Sequence, residues 1–218
     1  MHENHFPGES RKYRAARNRL LRAEIDLRKR VERVAALRRT LPPGGEIAED
    51  YVFEGEKGPV KLSALFGDKD TLVLYNYMFG PKQKNPCPMC TSFIDGLAGN
   101  SRHLEQRVAL AVVAKSPLAR IRKFAATRDW SRLRFLSSAN NTFNHDYFGE
   151  DGNDDQNPLL HVFVKRGKKV FHSWTSELQM VKTEPGQNQR HLDTMWPLWN
   201  VLDCTPKGRG RDWYPSLS

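Results

Sequence analysis

The chain has 218 residues, 39% hydrophobic and 28% charged, with a formal net charge of +10. That length fits one domain, or one domain with an arm, and leaves enough apolar residue for a core. Three cysteines are too few for a disulfide framework, which points to a reducing compartment, and no apolar run approaches the roughly 18 residues of a membrane span.

The first residues, Met1-His2-Glu3-Asn4-His5-Phe6-Pro7-Gly8, carry no apolar signal core. The expectation is a soluble cytoplasmic protein without a membrane partner. Ser10 is placed to cap a long helix running to Arg39, ended by Thr40-Leu41-Pro42-Pro43-Gly44-Gly45. Residues 11–39 hold twelve basic and three acidic side chains, a net of +9, so the rest of the chain is nearly balanced. Leu20, Leu27, Val31 and Val34 form one stripe, which calls for docking on the body or a homodimer through this helix. The charge is the footprint of nucleic acid or another anionic partner, but no base-reading motif accompanies it, and a solvated helix face accounts for it more simply. The domain reading is therefore a basic helical arm and linker over residues 1–45 and one domain over residues 46–218.

Residues 51–53 and 59–62 read as a hairpin, 63–66 as a short helical turn, and 71–79 as a buried strand. Residues 91–107 follow as a helix and 108–113 as a strand apolar on both faces. A helix from Ser116-Pro117 to about Arg128, a short strand over 134–137 and a long Asn/Asp/Gly-rich loop over 140–157 come next. A second hairpin pairs 161–164 with 169–172. A terminal helix over 189–202 carries Trp196 and Trp199.

Chemistry concentrates at Cys87-Pro88-Met89-Cys90, at the turn between the 71–79 strand and the 91–107 helix. Unpaired N–H groups and the positive end of the helix dipole favour a thiolate there, and the thiolate is the nucleophile. Pro88 suits the first helical turn. Cys90 falls three residues on, within disulfide reach. Such a pair is also half of a zinc site or an inert pair of thiols. Zinc usually needs a second close Cys/His pair, and Cys204 with the seven histidines supplies none, so no metal and no cofactor is expected. Strand, Cys-x-x-Cys helix, strand, helix, strand, hairpin and final helix is the thioredoxin order. The fold expected is α/β and thioredoxin-like: a central mixed sheet flanked by helices, with an added N-terminal hairpin and the long basic N-terminal helix. That arrangement places a cis-proline before the last hairpin, where Pro158 stands.

Several segments together resemble the DUF899 family. They are Glu49-Asp50-Tyr51-Val52-Phe53-Glu54-Gly55, Tyr77-Met78-Phe79-Gly80-Pro81, Cys87-Pro88-Met89-Cys90, Ser137-Ser138 with Phe143-Asn144-His145-Asp146, Val170-Phe171-His172-Ser173-Trp174, and Leu202-Asp203-Cys204-Thr205-Pro206-Lys207-Gly208-Arg209. The resemblance spans nearly the whole chain. It implies a bacterial thioredoxin-like protein described as a dithiol-disulfide oxidoreductase, and supplies no substrate. This chain carries Cys204 where that pattern more often has leucine and Trp174 where it more often has tyrosine.

The candidate roles follow. Cys87 attacks a disulfide, sulfenic acid or peroxide, and Cys90 resolves the mixed disulfide. Pro86 and Pro88 stiffen the turn. Phe79, Gly80 and Pro81 shape the approach, and Pro158 presents backbone to substrate. Lys82 and Lys84 lie where they would favour a thiolate. His145 and His172 are candidate proton carriers, a role to which the histidine side chain is suited, and Trp174 lines the site, whereas Asp146 and Asp203 suit turns and caps. Three functions stay open: a thiol-disulfide oxidoreductase served by an external thiol reductant, an enzyme of this fold acting on a specific small molecule, and a binding module whose arm contacts nucleic acid or a protein.

Overall fold

The computed structural model describes residues 4–152, 155–185, 193–210 and 213–217. It divides into two units, residues 1–42 and 43–218.

The first unit is the helix α1 (Arg11–Arg39). Ser10 caps it, its Oγ accepting from the Tyr13 amide at 3.1 Å, and Arg38 and Arg39 sit in the last turn, where the dipole favours cations. Arg14 is the one buried residue of the helix. It holds Glu9, whose carboxyl it pulls down to about 2. Leu20, Leu27, Val31 and Val34 are exposed, so the burial expected of this stripe is not seen in the single chain.

The second unit runs β1 (Val52–Gly55), β2 (Gly58–Lys61), β3 (Thr71–Asn76), α2 (Pro88–Leu104), β4 (Ala109–Ala114), α3 (Leu118–Ala126), β5 (Arg134–Ser137), α4 (Phe143–Asp146), β6 (Leu159–Arg166), β7 (Lys169–Thr175) and α5 (Pro197–Asp203). One seven-stranded mixed sheet has the order β2-β1-β5-β4-β3-β6-β7. β3 and β4 are parallel in the register Leu72↔Ala109, and β4 and β5 are parallel. β6 runs antiparallel to β3, and β7 to β6. The β1–β2 hairpin extends the sheet through Glu54↔Ser137.

The apolar runs of β3 and β4 require cover on both faces. Right-handed crossovers put α2 and α3 on the same face. There Tyr75, Leu110, Val112, Ala114 and Leu160 pack with Phe93 and Ile94 of α2, Leu118 and Ile121 of α3, and Trp199 of α5. The other face, with Leu72, Leu74, Ala111, Val113 and Phe163, is covered by Leu62 of a short 3₁₀ segment (Leu62–Ala64), by Leu65 and Phe66 just after it, and by Phe143 of α4. The order of elements, two parallel central strands and an antiparallel hairpin make this a thioredoxin-like α/β fold.

Four local expectations need correction. The strand expected over 71–79 ends at Asn76 because the β6 register stops at Asn76↔Leu159, and the next residue of the partner strand, Pro158, has no N–H to donate. The loop over 140–157 contains α4, its start held by the Phe143 amide donating to Asn141 Oδ1 at 3.0 Å. Of the terminal helix expected over 189–202, residues 189–192 lie outside the described residues. The remainder is a 3₁₀ turn (Asp193–Met195) and α5, separated at Trp196, because Pro197 cannot continue a helix but can begin one. The Asn157–Pro158 bond is trans, with no cis bond among the described residues. Asn157 is clamped on both sides: its amide donates to Gly149 O at 2.9 Å, and its carbonyl accepts from Asn76 Nδ2 at 2.6 Å.

That clamp yields a prediction. A Cβ on Gly149 would stand 2.6 Å from Asn76 Nδ2, whose N–H groups also reach Gly149 O at 3.0 Å. Gly149→Ala should cost about 1–3 kcal/mol by breaking a buried hydrogen bond, read as a lower midpoint in denaturant at unchanged slope. Gly152→Ala, with nothing within 4 Å of its Cβ, should stay within about 0.5 kcal/mol of the parent.

Candidate active site

The site begins where β3 ends. The Tyr77 amide still donates to Val113 O at 2.8 Å, so the chain leaves the sheet only after it. Residues 80–86 then loop out and return, and the Cys87 amide donates to Met78 O at 3.1 Å. Cys87 is the N-cap of α2, in extended conformation, with Pro88 in the first turn and no side-chain capping bond. Its carbonyl accepts the first helical bond from the Thr91 amide at 3.0 Å and a second from Thr91 Oγ1 at 2.9 Å. Thr91 in turn meets the Tyr77 hydroxyl at 2.7 Å. The helix N-terminus is thus locked to the strand end, and the Cys87 sulfur is left for chemistry.

Both cysteines are free thiols and lie beside each other. Cys87 is half-buried, and Cys90 is 1% exposed. Against the cost of burial, the neighbouring Cys90 thiol, the Cys90 amide, the Tyr214 hydroxyl and the Met89 amide favour the charged form of Cys87. Together they bring the Cys87 thiol down to about 6. Burial pushes Cys90 well above its ordinary value, and the neighbouring Cys87 adds to this. The Tyr75 hydroxyl faces Cys90, is fully buried, and has no hydrogen-bond partner among the described residues.

The loop before Cys87 is held by Arg120 of α3, which the sequence does not single out. Its guanidinium donates to the carbonyls of Gly80 (3.3 Å), Pro81 (3.1 Å), Gln83 and Lys84 (2.8 Å). It also stacks 4.5 Å over the Phe79 ring. Gly80 is required by close approach, since a Cβ there would stand 3.0 Å from Gln156 Cγ. Lys82 and Lys84 are exposed, and neither is among the groups that chiefly lower Cys87.

Of the other expected site residues, Pro88 and Phe79 pack around the cysteines and Gly80 and Pro81 frame the loop. Pro158 is buried one step beyond the β3–β6 register, beside Tyr77. Trp174 packs on the cysteine face. His172 does not. A bulge between Val162 and Phe163 pairs Val162 with Trp174 but Phe163 with His172, so two residues that a regular strand would put on one face are sent to opposite faces. His172 lies against Tyr147 and Phe163 on the second face, with His161, whose Nδ1 is 3.2 Å from its Nε2. His145 is on α4 with its side chain 76% exposed, next to Asp146. Cys204 is exposed at the end of α5, its Sγ donating to Asn200 O at 3.3 Å. No group of three metal-ligating side chains occurs among the described residues, nor any helix long and apolar enough to cross a membrane.

Two predictions arise here. Arg120→Lys keeps the charge and loses the planar fork. It should speed amide exchange of the 80–84 loop about tenfold, with Gly80, whose amide donates to Gln83 Oε1 at 2.5 Å, the most informative probe. The second concerns His161, which is 1% exposed; its Nε2 has no hydrogen-bond partner among the described residues, and burial, aided by His172, brings it down from 6.5 to about 3. Below 6.5 the unfolded imidazole binds a proton while the folded one stays neutral until about 3. Stability should therefore fall on acidification across that window. His161→Gln should flatten the slope, read from denaturant unfolding at several pH values.

The family model described as a bacterial protein of unknown function, DUF899, matches residues 3–218. No curated protein matches the chain. Among solved structures, peroxidoxin BcpB from Mycobacterium tuberculosis is similar at 20% identity and a TM-score of 0.46, covering 74% of this chain and 98% of that one. The exposed lipoprotein thioredoxin Etrx1 from Streptococcus pneumoniae strain TIGR4 is 17% identical with a TM-score of 0.41, covering 67% and 98%. A putative thiol:disulfide interchange protein DsbE from Chlorobium tepidum is 20% identical with a TM-score of 0.38, covering 61% and 86%. These likenesses are distant; the family match spans the chain from its third residue to its last, and the protein belongs to the DUF899 family.

Proposed function

We propose that the protein is a dithiol-disulfide oxidoreductase in which Cys87 is the nucleophile and Cys90 the resolving thiol. The observation that carries this reading is the contrast between two adjacent thiols: one half-buried at a helix N-cap among converging N–H donors, the other sealed one turn into the core. A thiolate at Cys87 attacks one sulfur of a substrate disulfide. The new S–S bond forms as the old one breaks, and the second substrate sulfur leaves with the electron pair and takes a proton from solvent. Cys90 then gives up its proton and attacks the Cys87 sulfur, releasing the reduced substrate and leaving a Cys87–Cys90 disulfide. An external thiol returns the pair to the dithiol.

Phe79, Gly80, Pro81, Pro88, Pro158 and Trp174 supply the surroundings of the reacting sulfur in this reading. His172, packed against Tyr147 and Phe163, and His145, exposed on α4, are given no role in this reading. A peroxide in place of the disulfide would use the same nucleophile, giving a sulfenic acid on Cys87 that Cys90 condenses with.

The test is alkylation of the reduced protein at graded pH, with peptide mapping. Cys87 should react first, with a midpoint near 6, below the ~8.5 of an unperturbed thiol. Cys87→Ser should abolish disulfide exchange. Cys90→Ser should instead accumulate a mixed disulfide on Cys87. First reaction at Cys90 or Cys204, or a Cys87 midpoint near 8.5, would overturn the reading.

A further inference from the structure

The C-terminal segment brings a second functional group to the nucleophile. Tyr214 Oη lies 3.6 Å from Cys87 Sγ, across 127 residues of sequence. The segment is not merely passing by. The Trp213 ring stands edge-on to Trp199 of α5 at 5.9 Å, and the other side of that anchor is the Arg209 guanidinium, 5.3 Å from the Trp199 ring. Arg209 is itself tied to Asp203, Nε to Oδ1 at 2.7 Å. α5 is seated on α2, the helix that carries both cysteines, where Gly96 leaves room for the Pro197 ring. The position of the phenol is thus set from the same helix as the sulfur it meets.

We infer that Tyr214 is a catalytic residue of this site, its hydroxyl donating to the Cys87 thiolate and then to the thiolate that leaves the substrate. The inference rests on the oxidoreductase reading above. Burial and the neighbouring Cys87 both push the phenol's own ionisation up, so across the range in which Cys87 ionises the phenol keeps its proton and acts only as a donor. In the reduced protein its acceptor is the Cys87 sulfur. When that sulfur spends its electron pair on the new S–S bond it ceases to be anionic and becomes a poor acceptor. The substrate bond breaks in the same step, and the departing sulfur carries a full negative charge within reach of the same hydroxyl. The phenol transfers its hydrogen bond from the attacking to the leaving sulfur, while the proton that finally neutralises the leaving group comes from solvent. Such a donor is worth most to substrates whose leaving thiol is poorly acidic, such as alkyl disulfides of the cysteine or glutathione type.

The experiment uses the full chain and Tyr214→Phe, with iodoacetamide as the probe and mass mapping of Cys87. Tyr214 is 56% exposed, so the substitution should leave the fold intact. The variant should show a raised Cys87 midpoint, a rate about three- to tenfold lower at pH 6.5 and an unchanged plateau at high pH, the signature of one lost charge-assisted hydrogen bond. Trp213→Ala, which loosens the anchor, should shift the midpoint in the same direction by less. Turnover of oxidised glutathione should fall more than turnover of an aromatic disulfide, whose leaving thiolate needs less help. A wild-type midpoint in Tyr214→Phe overturns the inference and leaves the oxidoreductase reading standing. So does a uniform change in rate at every pH, which would mean altered access. A parent protein whose Cys87 titrates near 8.5 removes that reading and this inference with it.

Discussion

In the proposed reading a negative charge on Cys87 is held chiefly by hydrogen-bond donors, and much of the structure around the site answers to that constraint. The groups that lower this thiol most are donors: the Cys90 thiol, two helix amides and a phenol. Hydrogen-bond donors act only over short distances and in narrow directions, so they must be placed to within tenths of an ångström. The Cys87–Met78 backbone bond, the Tyr77–Thr91–Cys87 chain and the proline in the first turn supply that placement. The first two tie the helix N-terminus to the chain just after β3, an interior strand paired on both sides.

The same end of the sheet carries a polar lattice that steadies the approach. Ser138 Oγ donates to Asn144 Oδ1 at 2.7 Å, and Asn144 Nδ2 to Gln156 Oε1 at 3.1 Å. Gln156 rests on Gly80, and Lys115 meets Glu150 at 3.0 Å. Ser116 Oγ and the Arg120 fork grip the carbonyls of the loop. These side chains cluster at the carboxyl ends of β4 and β5 and in the segment leading into β6. Open α/β sheets place their ligand sites outside strand carboxyl ends. Buried polar groups are costly unless satisfied, and here nearly all the named members have partners, so the loop preceding Cys87 is an ordered wall.

What was legible in the sequence follows from how local the determining physics is. The continuous apolar runs of β3 and β4, the Ser10 cap and the Cys-Pro-Met-Cys turn are short-range signals, and each lies where it was expected. The parts that were not legible depend on contacts between residues far apart in the chain. Arg120 sits on an ordinary amphipathic helix, and nothing in its neighbours marks the loop carbonyls 36 to 40 residues earlier. Tyr214 lies in a tail with no periodicity. The bulge that sends His172 away from Trp174 is a single extra residue that a period-two reading overlooks. Pro158 occupies the position expected for a cis bond, yet Asn76 and Gly149 clamp the residue before it in a trans arrangement.

The distribution of charge bears on how the proposed Cys87 thiolate is held. The chain's net charge of +10 is nearly all in residues 11–39, which leaves the remainder almost balanced. A general positive field is screened within about 8 Å at physiological ionic strength, and the loop lysines are exposed to solvent. A thiolate maintained by such a field would be sensitive to salt. One maintained by buried amides, a neighbouring thiol and an anchored phenol is not, because these donors sit inside the screening length and partly out of water. Their effect on the couple has a definite sign. They stabilise the anion that exists only in the reduced protein, and the disulfide form gains nothing from them. In the proposed reading the dithiol is therefore favoured, and the Cys87–Cys90 pair would be a stronger oxidant than two unperturbed thiols at the same spacing. In that reading the acidity of Cys87 and the oxidising bias of the pair would come from one set of donors.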